Sequence, residues 1–105
     1  MAWLFVLLAG LFEIGMAAFL KASDGFTRLP ASIAFGACSL VSFSLLATAL
    51  KDLPVGTAYA VWTGIGAAGT AILGIAVLGE AASALRIGSI VLIVAGVVGL
   101  KMATP

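Results

Sequence analysis

The sequence predicts an all-α protein that crosses a membrane four times, and three observations carry that prediction. The chain has 105 residues, of which 64% are hydrophobic and only 9% are charged, whereas an average soluble domain carries about 25% charged residues. The apolar residues fall into four long runs, and short polar connections separate these runs. Such a chain has too little polar surface to fold in water, so we expect lipid to be its solvent.

The four apolar runs predict membrane spans at about residues 2–20, 31–50, 54–78 and 84–104. A spanning helix needs about 20 residues, and the first three runs reach that length directly. The fourth run reaches it when Arg86 and Lys101 extend their aliphatic stems toward the two membrane surfaces. No connection is long enough to fold by itself, so residues 1–105 are predicted to form a single four-helix transmembrane domain.

The side chains available for chemistry exclude several classes of function. Cys38 is the only cysteine and there is no histidine, which excludes an internal disulfide and leaves little to build a metal site. The sequence contains no glycine-rich phosphate loop, no nucleophile–base pair and no basic stripe for nucleic acid. We therefore expect no enzyme, no metal or cofactor, and no nucleic-acid partner.

The basic residues of the connections orient the chain only weakly. Lys21, Arg28 and Arg86 fall on one side of the membrane, and Lys51 and Lys101 fall on the other with the N-terminal amine. The positive-inside rule then gives little preference for either orientation. Two interpretations follow: insertion in both orientations, which would permit an antiparallel dimer, or a single orientation that depends on details of the loops.

Glu13 places a carboxyl group in the middle of the first run, within "LLAGLFEIGMAAFLK". A charge near the bilayer centre costs about 3 kcal/mol, and a glutamate escapes most of that cost by taking a proton. Such a carboxyl can hold either a proton or a cation, so Glu13 is predicted to be the functional centre. The alternative is a protonated Glu13 that only hydrogen-bonds a neighbouring helix. The residues that share the helix face of Glu13 are mostly small, which indicates open space or a closely packed neighbour. These residues are Ala9, Gly10, Met16, Ala17 and Leu20.

The third run carries large polar-tipped side chains at helical spacing. Tyr59, Trp62, Thr63 and Gly66 share one face, and aromatic faces attract cations. The alternative is an aromatic belt at the membrane surface, which suits Tyr59 better than the deeper Trp62. Gly64 and Gly66 predict either a hinge or a close helix contact.

Small polar residues mark the second and fourth runs. Ser42 lies between Ser39 and Ser44 in the second run, although each serine could also bond to its own helix. Ser89 and Gly96 stand one heptad apart in the fourth run. Small residues on one stripe favour helix–helix contact in membranes, so Ser89 and Gly96 are predicted to form a dimer contact.

Three segments resemble the small multidrug resistance transporters: "GLFEIGMAAFLKASDGFTRL", "LPVGTAYAVWTGIGAAGTAILGI" and "LIVAGVVGLK". The resemblance covers nearly the whole chain and is strongest to the guanidinium-exporter subtype. It implies an antiparallel, dual-topology dimer in the plasma membrane that exchanges protons for small organic cations. It also implies that Glu13 binds the proton and the cation, and that Ser42, Tyr59 and Trp62 lie beside it.

One position departs from the guanidinium-exporter pattern. Met16 stands where that subtype typically has a tryptophan, in "EIGMA", and methionine is softer and more flexible than tryptophan. Two alternatives therefore accompany guanidinium export: export of hydrophobic quaternary ammonium ions, or a role as one subunit of a heterodimeric pair. A membrane assembly protein without transport and a passive channel are the rival classes.

Overall fold

The computed structural model describes residues 1–104, which form four helices. Helix α1 spans Ala2–Ala22, α2 spans Leu29–Ala49, α3 spans Val55–Ala76 and α4 spans Ala84–Ala103. Each helix contains 20 to 22 residues, or about 30–33 Å at 1.5 Å per residue, which matches a hydrocarbon core of about 30 Å. All four are apolar enough to span a membrane. The prediction of an all-α, four-span protein is confirmed.

The helix ends differ from the predicted spans by a few residues, and local hydrogen bonds explain the differences. Helix α2 begins at Leu29, before the predicted start, because Pro30 occupies its first turn, where a missing N–H group costs little. Helix α3 ends at Ala76 rather than at residue 78. Gly79 adopts a φ of +73°, and the N–H groups of Leu78 and Glu80 both donate to the carbonyl of Gly74.

The α1–α2 connection is organised by Ser23, which is fully buried. Its hydroxyl donates to the Leu20 carbonyl and accepts from the Phe26 N–H at 2.7 and 3.1 Å. Asp24, Gly25 and Phe26 all have positive φ, a conformation that favours glycine. The chain therefore turns at Asp24–Phe26, and the buried Ser23 supports this turn.

The helices lie in a row in the order α2, α1, α3, α4. Helix α1 packs against α2 and α3, and α3 packs against α4. Helices α2 and α3 touch at only a few residues. The molecule measures 43 × 35 × 17 Å, so its thinnest dimension is about one and a half times the 10–12 Å diameter of one helix. The buried core is correspondingly small and lies where α1, α2 and α3 meet. A single row of four helices cannot surround a central cavity by itself, as residues 1–104 illustrate.

Candidate functional site

The Glu13 carboxyl group lies at the contact between α1 and α3, directly against Gly66. A methyl group at Gly66 would lie 2.9 Å from Cγ of Glu13 and still closer to its carboxyl group. Real Cβ atoms do not approach heavy atoms that closely, so only glycine fits at position 66 without a shift of Glu13. Packing thus brings Glu13 together with Gly66, which the sequence suited to a hinge or to a close helix contact.

One oxygen of this carboxyl group, Oε2, is buried and has no hydrogen-bond partner among residues 1–104. A buried acceptor without a partner costs about 1–3 kcal/mol, and more when it is charged. Native structures contain few such groups, and a bound ion, a bound water or a catalytic role commonly accounts for each one. The arrangement leaves Glu13 ready to take a proton or to bind a donor-bearing cation.

A chain of hydrogen bonds crosses three helices next to Glu13. The Ser42 hydroxyl on α2 donates to the carbonyl of Ala9 on α1 at 2.7 Å, and Nε1–H of Trp62 on α3 donates to the same hydroxyl at 3.0 Å. In a helix the Ala9 carbonyl also accepts from the N–H of Glu13, so Ser42 meets α1 one turn from the carboxylate. Both Ser42 and Trp62 are buried.

The hydrogen-bond capacity of Ser42 is nearly filled by these two partners. A serine hydroxyl has one proton to donate and two lone pairs to accept with. Its proton is directed to Ala9 and one lone pair to Trp62, which leaves a single lone pair. The remaining capacity of Ser42 is that of an acceptor, and the side chain is fully buried in this arrangement.

Aromatic rings surround the buried end of this chain. The rings of Tyr59 and Phe43 each lie 5.5 Å from the ring of Trp62, in tilted packing, within the range of favourable aromatic pairs. Tyr59 and Phe43 remain about half exposed, so they present aromatic surface beside Trp62. Sequence analysis did not single out Phe43, because a phenylalanine in an apolar run carries no signal of its own.

The remaining predicted site residues take different positions. The hydroxyl of Thr63 donates to the Tyr59 carbonyl on its own helix at 2.6 Å, so it is satisfied locally. Gly10 is buried against Ile65 of α3, with 2.6 Å between an added methyl group and Cγ2 of Ile65. Met16 is partly buried one turn beyond Glu13. Its role in binding stays a prediction.

The predicted hinge and dimer-contact residues lie outside this cluster. Helix α3 runs unbroken through Gly64 and Gly66, and a methyl group at Gly64 would lie 2.5 Å from Cγ2 of Val97 on α4. Both glycines thus permit close helix contacts, and the hinge stays a prediction. Ser89 and Gly96 are exposed on α4, with open space beside Gly96, so their contact partner also stays a prediction.

Comparison of the sequence with known proteins shows which family the chain is similar to. The family model described as "Small Multidrug Resistance protein" matches residues 1–93. The chain is 53% identical to the guanidinium exporter of Escherichia coli strain K12 over 104 residues, which is 99% of each chain. It is 56% identical, with the same coverage, to the guanidinium exporters of Citrobacter freundii and Salmonella typhimurium.

Proposed function

Because the chain belongs to the small multidrug resistance family and is a multi-pass protein of the inner membrane, we propose that it exports guanidinium in exchange for protons. The predicted family resemblance is confirmed by the family match and by relatives that are named as exporters rather than as enzymes. The observation that carries the proposal is the buried, unpartnered oxygen of Glu13 beside the Ser42–Trp62 hydrogen bond.

Competition at Glu13 supplies the coupling. The ionised carboxylate accepts N–H donors of guanidinium, and the protonated carboxyl no longer attracts the cation. Ser42 offers its remaining lone pair to the same ligand, while Tyr59 and Trp62 provide aromatic faces that attract a cation. If only the proton-loaded and cation-loaded states change the side on which the site opens, inward proton flow drives outward cation flow.

The proposed active unit is an antiparallel homodimer with a Glu13 from each chain facing one cavity, and a heterodimer with a paralogue is the alternative. The one-helix-thick row supports this unit, because a second row is needed to close a wet cavity. The exposed stripe of Ser89 and Gly96 on α4 is the proposed contact between the chains, since small residues allow helices to approach closely in lipid.

A second candidate function is export of hydrophobic quaternary ammonium ions. It is favoured by the half-exposed rings of Tyr59 and Phe43 beside Trp62, because such ions bind to aromatic surfaces without needing hydrogen bonds. The flexible Met16 in place of a tryptophan supports it as well.

The deciding experiment measures proton-coupled flux in liposomes with guanidinium and with tetrapropylammonium. We expect guanidinium to drive the larger proton counterflow, and Glu13→Gln to abolish it while helical content and dimerisation remain. Glu13→Asp is the matched control, since it keeps a titratable group on a shorter stem. Accumulation of guanidinium by Glu13→Gln under a pH gradient would contradict the assignment of Glu13, and flux without proton movement would indicate a passive channel.

A further inference from the structure

Helices α1 and α4 lie on either side of α3 without close backbone contact. Among residues 1–104, no Cα atom of α1 comes within 8 Å of α4. The gap between them is a continuous apolar groove that has α3 as its floor. It consists of two cavities of about 390 and 250 Å³, which share Ile65 and Val97 as lining residues. We call this feature the α1–α4 groove.

The length of the groove matches one leaflet of a bilayer. On α1 it extends from Trp3 to Ile14, which corresponds to about 16 Å at the helical rise of 1.5 Å per residue. Half of a hydrocarbon core is about 15 Å thick. The groove therefore begins near one membrane surface and ends near the midplane, as an acyl chain does.

The width of the groove favours a chain over a helix. Its combined volume, spread over that length, gives a cross-section of about 40 Å², at most about half that of a helix 10–12 Å in diameter. Apart from Lys101, the lining side chains are apolar or aromatic. A flexible hydrocarbon chain is both narrow enough and apolar enough to fit this groove.

The end of the groove nearest the membrane surface carries a positive charge. Nζ of Lys101 lies 5.2 Å from the centre of the Trp3 ring, and both residues line the groove. The only ion pair within residues 1–104 joins Arg86 to Glu80, so no carboxylate in this part of the chain neutralises Lys101. Basic pockets between transmembrane helices attract anionic headgroups, whereas an apolar helix from a second copy would bring no anion to this position.

We propose that the α1–α4 groove binds an anionic phospholipid, with its phosphate at Lys101 beside Trp3 and one acyl chain lying along α3 as far as Ile14. The inference rests on the groove's length, width and charge, and it is independent of the transported substrate.

Fluorescence quenching of Trp3 by brominated lipids tests the proposal. The chain contains two tryptophans, so Trp62→Phe leaves Trp3 as the only reporter. In phosphatidylcholine bilayers, brominated phosphatidylglycerol should quench Trp3 with about fivefold higher affinity than brominated phosphatidylcholine, as expected for one lysine at an anionic site. In the native chain, phosphatidylglycerol should also raise the unfolding temperature in detergent more than phosphatidylcholine does.

Two pairs of variants separate the groove from general lipid contact. Lys101→Gln should abolish the preference for phosphatidylglycerol, and Lys51→Gln on the same side should keep it. Val98→Phe, which fills the groove, should weaken quenching by both lipids, while Val91→Phe on the exposed face of α4 should not. Equal quenching by the two lipids in the Trp62→Phe reporter, or equal effects within either pair, would overturn the proposal. Brominated lipids that never reach Trp3, together with disulfide cross-linking between two copies of the Val98→Cys variant, would instead assign the groove to a second copy.

Discussion

The carboxyl group of Glu13 on α1 packs directly against the backbone of Gly66 on α3. This contact sets the position of the Glu13 carboxyl group. The Ser42–Ala9 hydrogen bond lies one helical turn away from it along α1. The position of the carboxyl therefore depends on an absent side chain, and adding one methyl group is the smallest change that tests it.

Gly66→Ala should weaken guanidinium binding by about tenfold or more, because a displaced carboxylate loses a charged hydrogen bond worth about 1.5–3 kcal/mol. The added methyl group would push the Glu13 carboxyl out of its place. Gly88→Ala is the control, since Gly88 also lies within a helix but has open space beside it. Isothermal titration calorimetry in detergent measures the affinities, and equal affinities in the two variants would contradict the positioning role of Gly66.

Ser42→Ala should destabilise the chain by about 1–3 kcal/mol, because it leaves the buried Nε1–H of Trp62 without an acceptor. Adding Trp62→Phe removes that donor and should recover part of the lost stability. Thermal unfolding of the two single variants and the double variant gives their coupling energy. Additive effects would show that the hydrogen bond between Trp62 and Ser42 contributes nothing measurable.

Met16→Trp should raise the ratio of guanidinium to tetrapropylammonium transport by about fivefold, since one added hydrogen bond contributes about 1 kcal/mol. The stiffer ring would also narrow the space for a bulky cation. Met16→Leu is the control, because it keeps a flexible apolar side chain of similar volume. Proton-coupled flux in liposomes provides the ratio, and an unchanged ratio would assign Met16 to packing alone.

Two lysines added after residue 105 should bias insertion toward one orientation, because the basic residues of the native chain divide almost evenly between the two sides. Transport should then fall, and co-expression with an oppositely biased variant should restore it. Two added glutamines serve as the control. Site-specific labelling of the C-terminus from each side measures the orientation, and an active native chain labelled from one side alone would rule out dual insertion.

The four helices were predictable from composition and length, but their order in the row was not. Each helix is apolar around most of its circumference, so no continuous polar stripe indicates which face meets a neighbour. The serines of α2 show the same limit. Ser39 and Ser44 donate to carbonyls of their own helix, and only Ser42 bonds to another helix. These three serines make different hydrogen bonds because the rotation of α2 about its axis turns only Ser42 toward α1.

The glycines of α3 illustrate what the sequence leaves open. From the sequence, Gly64 and Gly66 were equally compatible with a hinge and with a close helix contact, because each of these features requires a residue without a side chain. The structure places Gly64 against Val97 and Gly66 against Glu13, on two different neighbouring helices. Only the packing partners, which the sequence does not specify, distinguish these contacts.

The single-layer arrangement of the helices has a genetic consequence. When two identical rows supply both walls of a transport cavity, one codon change alters both walls together, so a lineage cannot adjust one side of the site while keeping the other. In the proposed homodimer, a defective copy that still assembles would combine with intact chains and inactivate them, so its allele would be dominant. Gene duplication removes both constraints, because each wall then has its own gene and the two halves can diverge.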